Sequence, residues 1–211
     1  MDSSFTLFSA FALQLFIIVD PIAGVPVFLA ITPDNTRAQR RAMAVRGCLA
    51  AFAILVFFLL CGRWVMSYFA IETSAVRICG GLLLFVISLE MLYGRLSGTG
   101  TSPREEQLAE AKEDISITPL AFPLLAGPGA IATGLIFVEQ VHSTADYLAL
   151  LAASAIIFVV TCLLLLRADA LLRLIGALGA AIVTRLMGLV LAFLAVQYVI
   201  DGIRGAFGPG G

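Results

Sequence analysis

The chain has 211 residues, of which 61% are hydrophobic and 13% are charged. Soluble domains run at about 45–50% apolar and about 25% charged, so an ordinary cytosolic enzyme and a disordered chain are excluded. A net charge of −1 gives no basic footprint for nucleic acid, and one histidine argues against a His-built metal site.

Runs of about 18 or more nearly uncharged residues read as membrane-spanning helices. The first covers 5–31 and is interrupted only by Asp20. The second covers 46–70, and the third covers 74–94 and holds Glu90. The fourth (115–138) and fifth (147–166) carry no charge, and the sixth covers 183–204. A further apolar stretch, LIGALGAAIVT, lies between Arg173 and Arg185. It is too short to span and is expected at the interface or as a bridge between the last two helices. The N-terminal MDSS has no Lys or Arg and its apolar run is too long for a cleaved signal, so it reads as a retained first span.

Arg37, Arg40, Arg41 and Arg46 fall in the first–second loop. Arg95, Arg104 and Lys112 fall in the third–fourth loop, and Arg167, Arg173 and Arg185 in the fifth–sixth. Only Arg63, Arg77 and Arg204 lie on the other side. This asymmetry predicts cytoplasmic loops on the Arg-rich side and both termini outside. Trp64, Tyr68, Tyr147 and Tyr198 fall near the outer ends and suit an aromatic belt. Cys48, Cys61, Cys79 and Cys162 sit in apolar runs without ligand spacing and read as free buried thiols.

The hydrophilic stretch 96–114 opens with SGTGTSP and continues as EEQLAEAKED, a solvated linker. It divides the chain into 1–95 and 115–211, each with three spans, within one membrane domain. The halves share spacings: Arg77, Gly80 and Gly94 match Arg185, Gly188 and Gly202, and IAGVP in the first span aligns with LAGPG in the fourth. An odd number of spans per half makes the repeats inverted. The expected fold is therefore an all-α membrane protein of six helices, as two inverted three-helix repeats. Inverted repeats with sites near the midplane are typical of secondary transporters.

Helices 1 and 4 are expected to be broken. Pro21, Gly24 and Pro26 interrupt the first, and Pro119, Pro123, Gly127, Pro128 and Gly129 the fourth. Proline removes a donor and clashes with the preceding turn, and glycine frees the backbone. Unwinding is predicted over 20–26 and 123–129, with Pro26 and Pro128 as first-turn prolines of the second half-helices. Irregular backbone at that depth must line a cavity or be buried in protein. The starts of both half-helices would attract an anion, while freed carbonyls and Asp20 would suit an ammonium group or a cation. A small zwitterion matches that polarity.

A carboxylate at mid-bilayer costs at least about 2.5–3.5 kcal/mol, so Asp20 needs a cavity, a partner or a proton. It reads equally as an N-cap before Pro21 and as a ligand or proton site. Glu90, near the cytoplasmic end, reads as the ion-pair partner of Arg95 and as a second candidate for ion coupling. Arg46, Arg77 and Arg185 are expected to snorkel. Gln14, Thr32, Ser88, Thr133, Gln140 and Gln197 could line a path; Thr133, four residues after the GPG break, is the strongest of them. Gly176 and Gly179 read as close-packing positions.

The stretches DPIAGVPVFLAIT (20–32) and PLAFPLLAGPGAIAT (119–133) closely resemble the signatures of the MarC family. So do RICGGLLLFVISLEMLYG and RLMGLVLAFLAVQYVIDGI, and the resemblance covers nearly the whole chain. It implies a six-span protein of a prokaryotic inner membrane, in a family grouped with exporter-type transporters. Some members, called small neutral amino acid transporters, move glycine and alanine with ion coupling. Carried onto this chain, the motif positions are Asp20, Pro21, Gly24, Pro26, Pro123, Gly127, Pro128 and Gly129. The expected function is alternating-access transport of small neutral amino acids, coupled to H+ or Na+ through Asp20 or freed carbonyls. The alternatives are a passive channel and a non-transporting scaffold or regulator. No nucleophile–base pair, P-loop or cofactor motif is present, so neither an enzyme nor an ATP-driven pump is expected.

Overall fold

The computed structural model describes residues 3–94 and 115–208; the expected linker at 96–114, and Arg95 with it, lie outside the described residues. Helix α1 (Ser3–Val19) and α2 (Pro21–Ala30) meet at Asp20 and together form one apolar span. Helix α3 (Arg37–Tyr68) begins well before Arg46, where hydropathy places the second span. A capping box sets that start: the Thr36 N–H donates to Gln39 Oε1 at 2.8 Å, and the Gln39 N–H donates to Thr36 Oγ1 at 3.3 Å. Its 32 residues reach about 48 Å at 1.5 Å each. Its Arg-bearing first turns therefore project beyond a hydrocarbon layer of about 30 Å.

Helix α4 (Thr73–Tyr93) ends at Gly94 in the left-handed region, φ 65°. The segment α5 (Ser116–Leu125) winds in wide five-residue turns, and Pro128 starts the regular helix α6 (Pro128–Val138). Their axes are bent by 54°. Helix α7 (Thr144–Leu166) opens on a second capping box, Ser143 with Asp146. Helix α8 (Ala168–Phe207) is the longest, with a break at Gly176. Among the described residues, five units are long and apolar enough to cross a membrane, and the bent α5–α6 pair would make six if it crosses as one.

The stretch 174–184 is part of α8 and not a separate segment. Gly176 turns the chain at φ 71°, and regular helix follows from Ala177 to Phe207. An added Cβ at Gly176 would meet nothing within 4 Å, so this glycine serves backbone conformation and not close packing. Helix formation tolerated Arg173 and Arg185, which had bounded the hydropathy window, because charge at an interface does not oppose the backbone ladder.

Contacts among the described residues run almost wholly between the halves. α1 packs on α7 and α5 on α3; α2 packs on α8 and α6 on α4; α3 meets α7, and α4 runs along α8. The α4–α8 seam is antiparallel and its small residues repeat every seven positions. A Cβ on Gly202 would lie 2.9 Å from the Ser74 carbonyl, one on Gly81 2.7 Å from the Ala195 carbonyl, and one on Gly188 3.1 Å from the Ser88 carbonyl. Apolar lipid gives no hydrophobic drive for helices to associate, so close backbone approach at small residues supplies the packing.

The apolar core lies between α1, α3, α6 and α7, with Phe11, Leu15, Leu55, Leu59 and Leu150 fully enclosed and the Phe11 and Phe137 rings 5.0 Å apart. Large apolar side chains also cover the outside, among them Phe57, Leu82, Leu163, Leu186 and Phe193. That distribution suits lipid and not water. Trp64 and Tyr68 are exposed and stacked at 5.7 Å, and Arg63 lies over the Tyr147 ring, so three of the four belt aromatics sit together at one end. The Tyr198 hydroxyl turns inward and donates to Gln14 Oε1 at 2.6 Å. All four cysteines are free, but only Cys48 is buried, and Cys79 is exposed.

Candidate functional site

Between the two halves lies a cavity of about 530 Å³. Its wall includes Asp20, Gly24 and Pro26 from the first break and Pro123, Gly127, Pro128 and Gly129 from the second, with Glu90 farther along. Of the sequence-predicted site residues, Pro21 and Thr133 stand off it. Pro21 is buried behind Asp20 as the first residue of α2. Thr133 is fully enclosed and its Oγ1 has no hydrogen-bond partner.

The first break is one residue long. Asp20 takes φ 39°, ψ 65°, because Pro21 bars it from the helical region and Asp tolerates the left-handed one. The helix resumes at once: the Gly24 N–H donates to the Asp20 carbonyl at 2.9 Å. Asp20 Oδ1 accepts the Ala23 N–H at 3.2 Å, so the side chain caps α2. Oδ2 is left buried with no hydrogen-bond partner, in a residue 7% exposed. The Thr184 hydroxyl lies beside this carboxyl without closing a hydrogen bond. Unwinding therefore does not extend over 20–26. Pro26 sits inside α2, and the first-turn proline is Pro21. Gly24 faces open space, with nothing within 4 Å of an added Cβ.

The second break is long. Thr118 and Phe122 are extended, each before a proline with a cis peptide bond, as the residue before proline resists the helical region. Wide turns are closed by the Leu120 N–H on the Ile115 carbonyl at 3.2 Å and the Ala126 N–H on the Ala121 carbonyl at 2.9 Å. The irregular stretch thus begins earlier than the expected 123. Pro128 is the first-turn proline, as expected. Gly127 is the N-cap and offers no side-chain cap. The first intrahelical bond runs from the Ile131 N–H to the Gly127 carbonyl at 3.2 Å. The Gly129 and Ala130 amides ahead of it have no acceptor in the helix, and both residues line the cavity.

The cavity therefore has two unlike poles. A carboxylate oxygen without a partner stands at one, and an uncapped helix start stands at the other. The expectation that both half-helix starts attract an anion is corrected, since Asp20 already occupies the start of α2.

Much of the remaining wall comes from α8, through Ala177, Ala180, Ala181, Thr184 and Arg185. The sequence reading assigned none of these to the site. Their spacing, i, i+3, i+4 and i+7 with one more after it, is a helical face of small residues ending in a hydroxyl and a cation. That signal was present within LIGALGAAIVT. Glu90 lies on the same stretch of wall as Gly94 and Arg185; its expected partner, Arg95, is outside the described residues. Three of the other polar candidates satisfy local needs. Thr32 Oγ donates to the Phe28 carbonyl, Ser88 Oγ to the Phe85 carbonyl, and Gln197 to Asp201.

Comparison with known proteins identifies the lineage. Residues 5–207 match the profile of MarC family integral membrane proteins. The chain belongs to the MarC family. Among its relatives, the UPF0056 membrane protein MJ1677 of Methanocaldococcus jannaschii is 38% identical over 92% of this chain and 94% of its own length. The UPF0056 membrane protein YhcE of Escherichia coli (strain K12) is 33% identical over 98% and 95%. The UPF0056 inner membrane protein YhgN of the same organism is 34% identical over 92% and 94%. No solved structure matches. This MarC-family chain is thus a multi-pass integral membrane protein, and a relative that aligns over 94% of its own length is named for the inner membrane.

Proposed function

We propose that this MarC-family protein is a secondary transporter of small neutral amino acids such as glycine and alanine. The observation that carries the reading is the bipolar cavity at the two helix breaks. Asp20 Oδ2 would take an ammonium group, and the Gly129 and Ala130 amides would take a carboxylate. A side chain at Gly24 would occupy the solute's space, so glycine there keeps the cavity open.

Alternating access follows from an inverted-repeat reading. Its support is the reciprocal packing: α1 on α7 mirrors α5 on α3, and α2 on α8 mirrors α6 on α4. The capping boxes at the starts of α3 and α7 and the antiparallel α4–α8 seam obey the same relation. With the Arg-rich loops in the cytoplasm, both termini lie outside. The cavity then runs from the breaks toward Glu90 and Arg185 at the cytoplasmic end, an inward-facing state. Coupling to H+ or Na+ would run through Asp20, with Glu90 on the exit path.

Uptake of labelled glycine and alanine into proteoliposomes, with and without imposed proton or sodium gradients, tests this. Saturable uptake raised by one gradient is expected. Absence of uptake by folded protein under every gradient overturns the transport reading.

A further inference from the structure

A second hollow lies at the end of the molecule where α2 and α7 finish and α3 and α8 begin. It measures about 210 Å³ and is ringed by Arg37, Arg40, Arg41, Arg167 and Arg173, with Asp169 the one carboxylate among its lining residues. We propose that this hollow binds the phosphodiester head group of an anionic phospholipid.

The positive-inside tendency asks only that arginines lie on this side of the membrane. It does not ask that five of them surround one depression. Gathering five guanidinium groups against one carboxylate leaves a net excess of positive charge that an anion relieves. Two of the arginines are already held in direction: Arg40 Nη1 reaches Asp169 Oδ1 at 3.4 Å, and Arg173 Nε donates to the Asp169 carbonyl at 3.1 Å. Guanidinium forks match phosphate oxygens in pairs. The inner wall is apolar, with Phe28, Leu29, Leu165 and Leu166 beneath the charged rim. A free phosphate has no use for such a wall, whereas a lipid lays its glycerol and acyl chains along it. Basic hollows between helix ends on the cytoplasmic side are suited to such head groups.

The test uses the full-length protein purified in detergent, with bound lipid measured by native mass spectrometry after exposure to phosphatidylglycerol or phosphatidylcholine. The wild type should retain phosphatidylglycerol in preference. The Arg37→Gln/Arg41→Gln/Arg173→Gln variant should weaken retention by about fivefold per arginine removed. Arg204→Gln, at the far end of α8, should change nothing. Asp169→Asn removes the competing carboxylate and should strengthen retention, which keeps the proposal testable if the triple variant fails to fold. Equal retention of the two lipids by the wild type, unchanged selectivity in the triple variant, or unchanged or weaker binding in Asp169→Asn would overturn it. So would displacement of the lipid by millimolar inorganic phosphate, which would assign the hollow to a soluble anion.

Discussion

The two helix breaks lie next to similar text, IAGVP and LAGPG, yet they are built in opposite ways. At the first, one residue leaves the helix and its own side chain closes the end it creates: Asp20 Oδ1 takes the Ala23 amide. At the second, the chain is irregular from Thr118 to Gly127, and the helix that follows has no side-chain cap. The difference is that between a proline preceded by a capping carboxylate and one preceded by glycine. The first break presents a carboxyl oxygen without a hydrogen-bond partner to the cavity, and the second presents a helix start without a side-chain cap. Two inverted but identical breaks would give two like poles. These two differ, as the proposed zwitterion site requires.

The sharpest way to break the comparison is Asp20→Asn. Asparagine caps a helix about as well as aspartate, so the fold should stand, while the buried negative pole disappears. Coupled uptake should fall at least about tenfold, since a hydrogen bond to a charged group is worth roughly 1.5–3 kcal/mol. Wild-type gradient-driven uptake in that variant would remove Asp20 from the mechanism. Next in size is Gly24→Leu. The added side chain projects into open space, so detergent-solubilised protein should melt near the wild-type temperature. Uptake should fall severalfold, and alanine should suffer more than glycine. An equal loss for both solutes, with a lowered melting temperature, would mean general damage and not a filled cavity.

How much of this was legible in the text depends on what each residue does locally. The prolines and glycines announced where the two breaks lie, since loss of a donor is a property of the residue itself. They did not announce how far each break extends. That extent turns on whether a neighbour can cap the resumed helix, which Asp20 does and Gly127 does not, and on prolines four apart at 119 and 123, which hold Thr118 and Phe122 extended. Hydropathy located the spans but not the ends of the helices that carry them: α3 starts at Arg37 and not at Arg46, and α8 reaches back past Val183. Apolar windows stop at charge, whereas helices stop at caps and at positions such as Gly176. The α8 wall of the cavity went unread for the same reason: the sixth span was begun at Val183, which left Ala177, Ala180 and Ala181 outside it. Tyr198 was read by depth alone, and its bond to Gln14 is a long-range contact that no local pattern carries.

A smaller effect comes from making the second break resemble the first. Gly127 has an extended backbone, φ −74° and ψ 179°, that any residue adopts. Gly127→Ser places a capping hydroxyl before Pro128. Its oxygen should take an amide of α6 that is otherwise free for solute. The expected result is a modest gain in stability, a few tenths to about 1 kcal/mol in thermal unfolding, with a severalfold rise in the apparent KM for uptake. A stabilised protein with unchanged KM would show that the amides are not the anion pole.

The smallest expected change on transport is at Thr133, which sits one turn beyond the second break but away from the cavity. Its hydroxyl is fully enclosed without a hydrogen-bond partner. A buried hydroxyl in that position costs about 1–3 kcal/mol, and valine has nearly its shape without the polar atom. If the cavity's walls are as described, Thr133→Val raises the melting temperature and leaves uptake within about twofold of wild type. If instead the solute or a coupling ion reaches past Gly129 into α6, the same hydroxyl is held unpaired in order to meet it. The substitution would then lower uptake while still raising stability. Measured together, the two readouts separate a packing compromise from a ligand position, and so fix how deep the amide pole of the site extends.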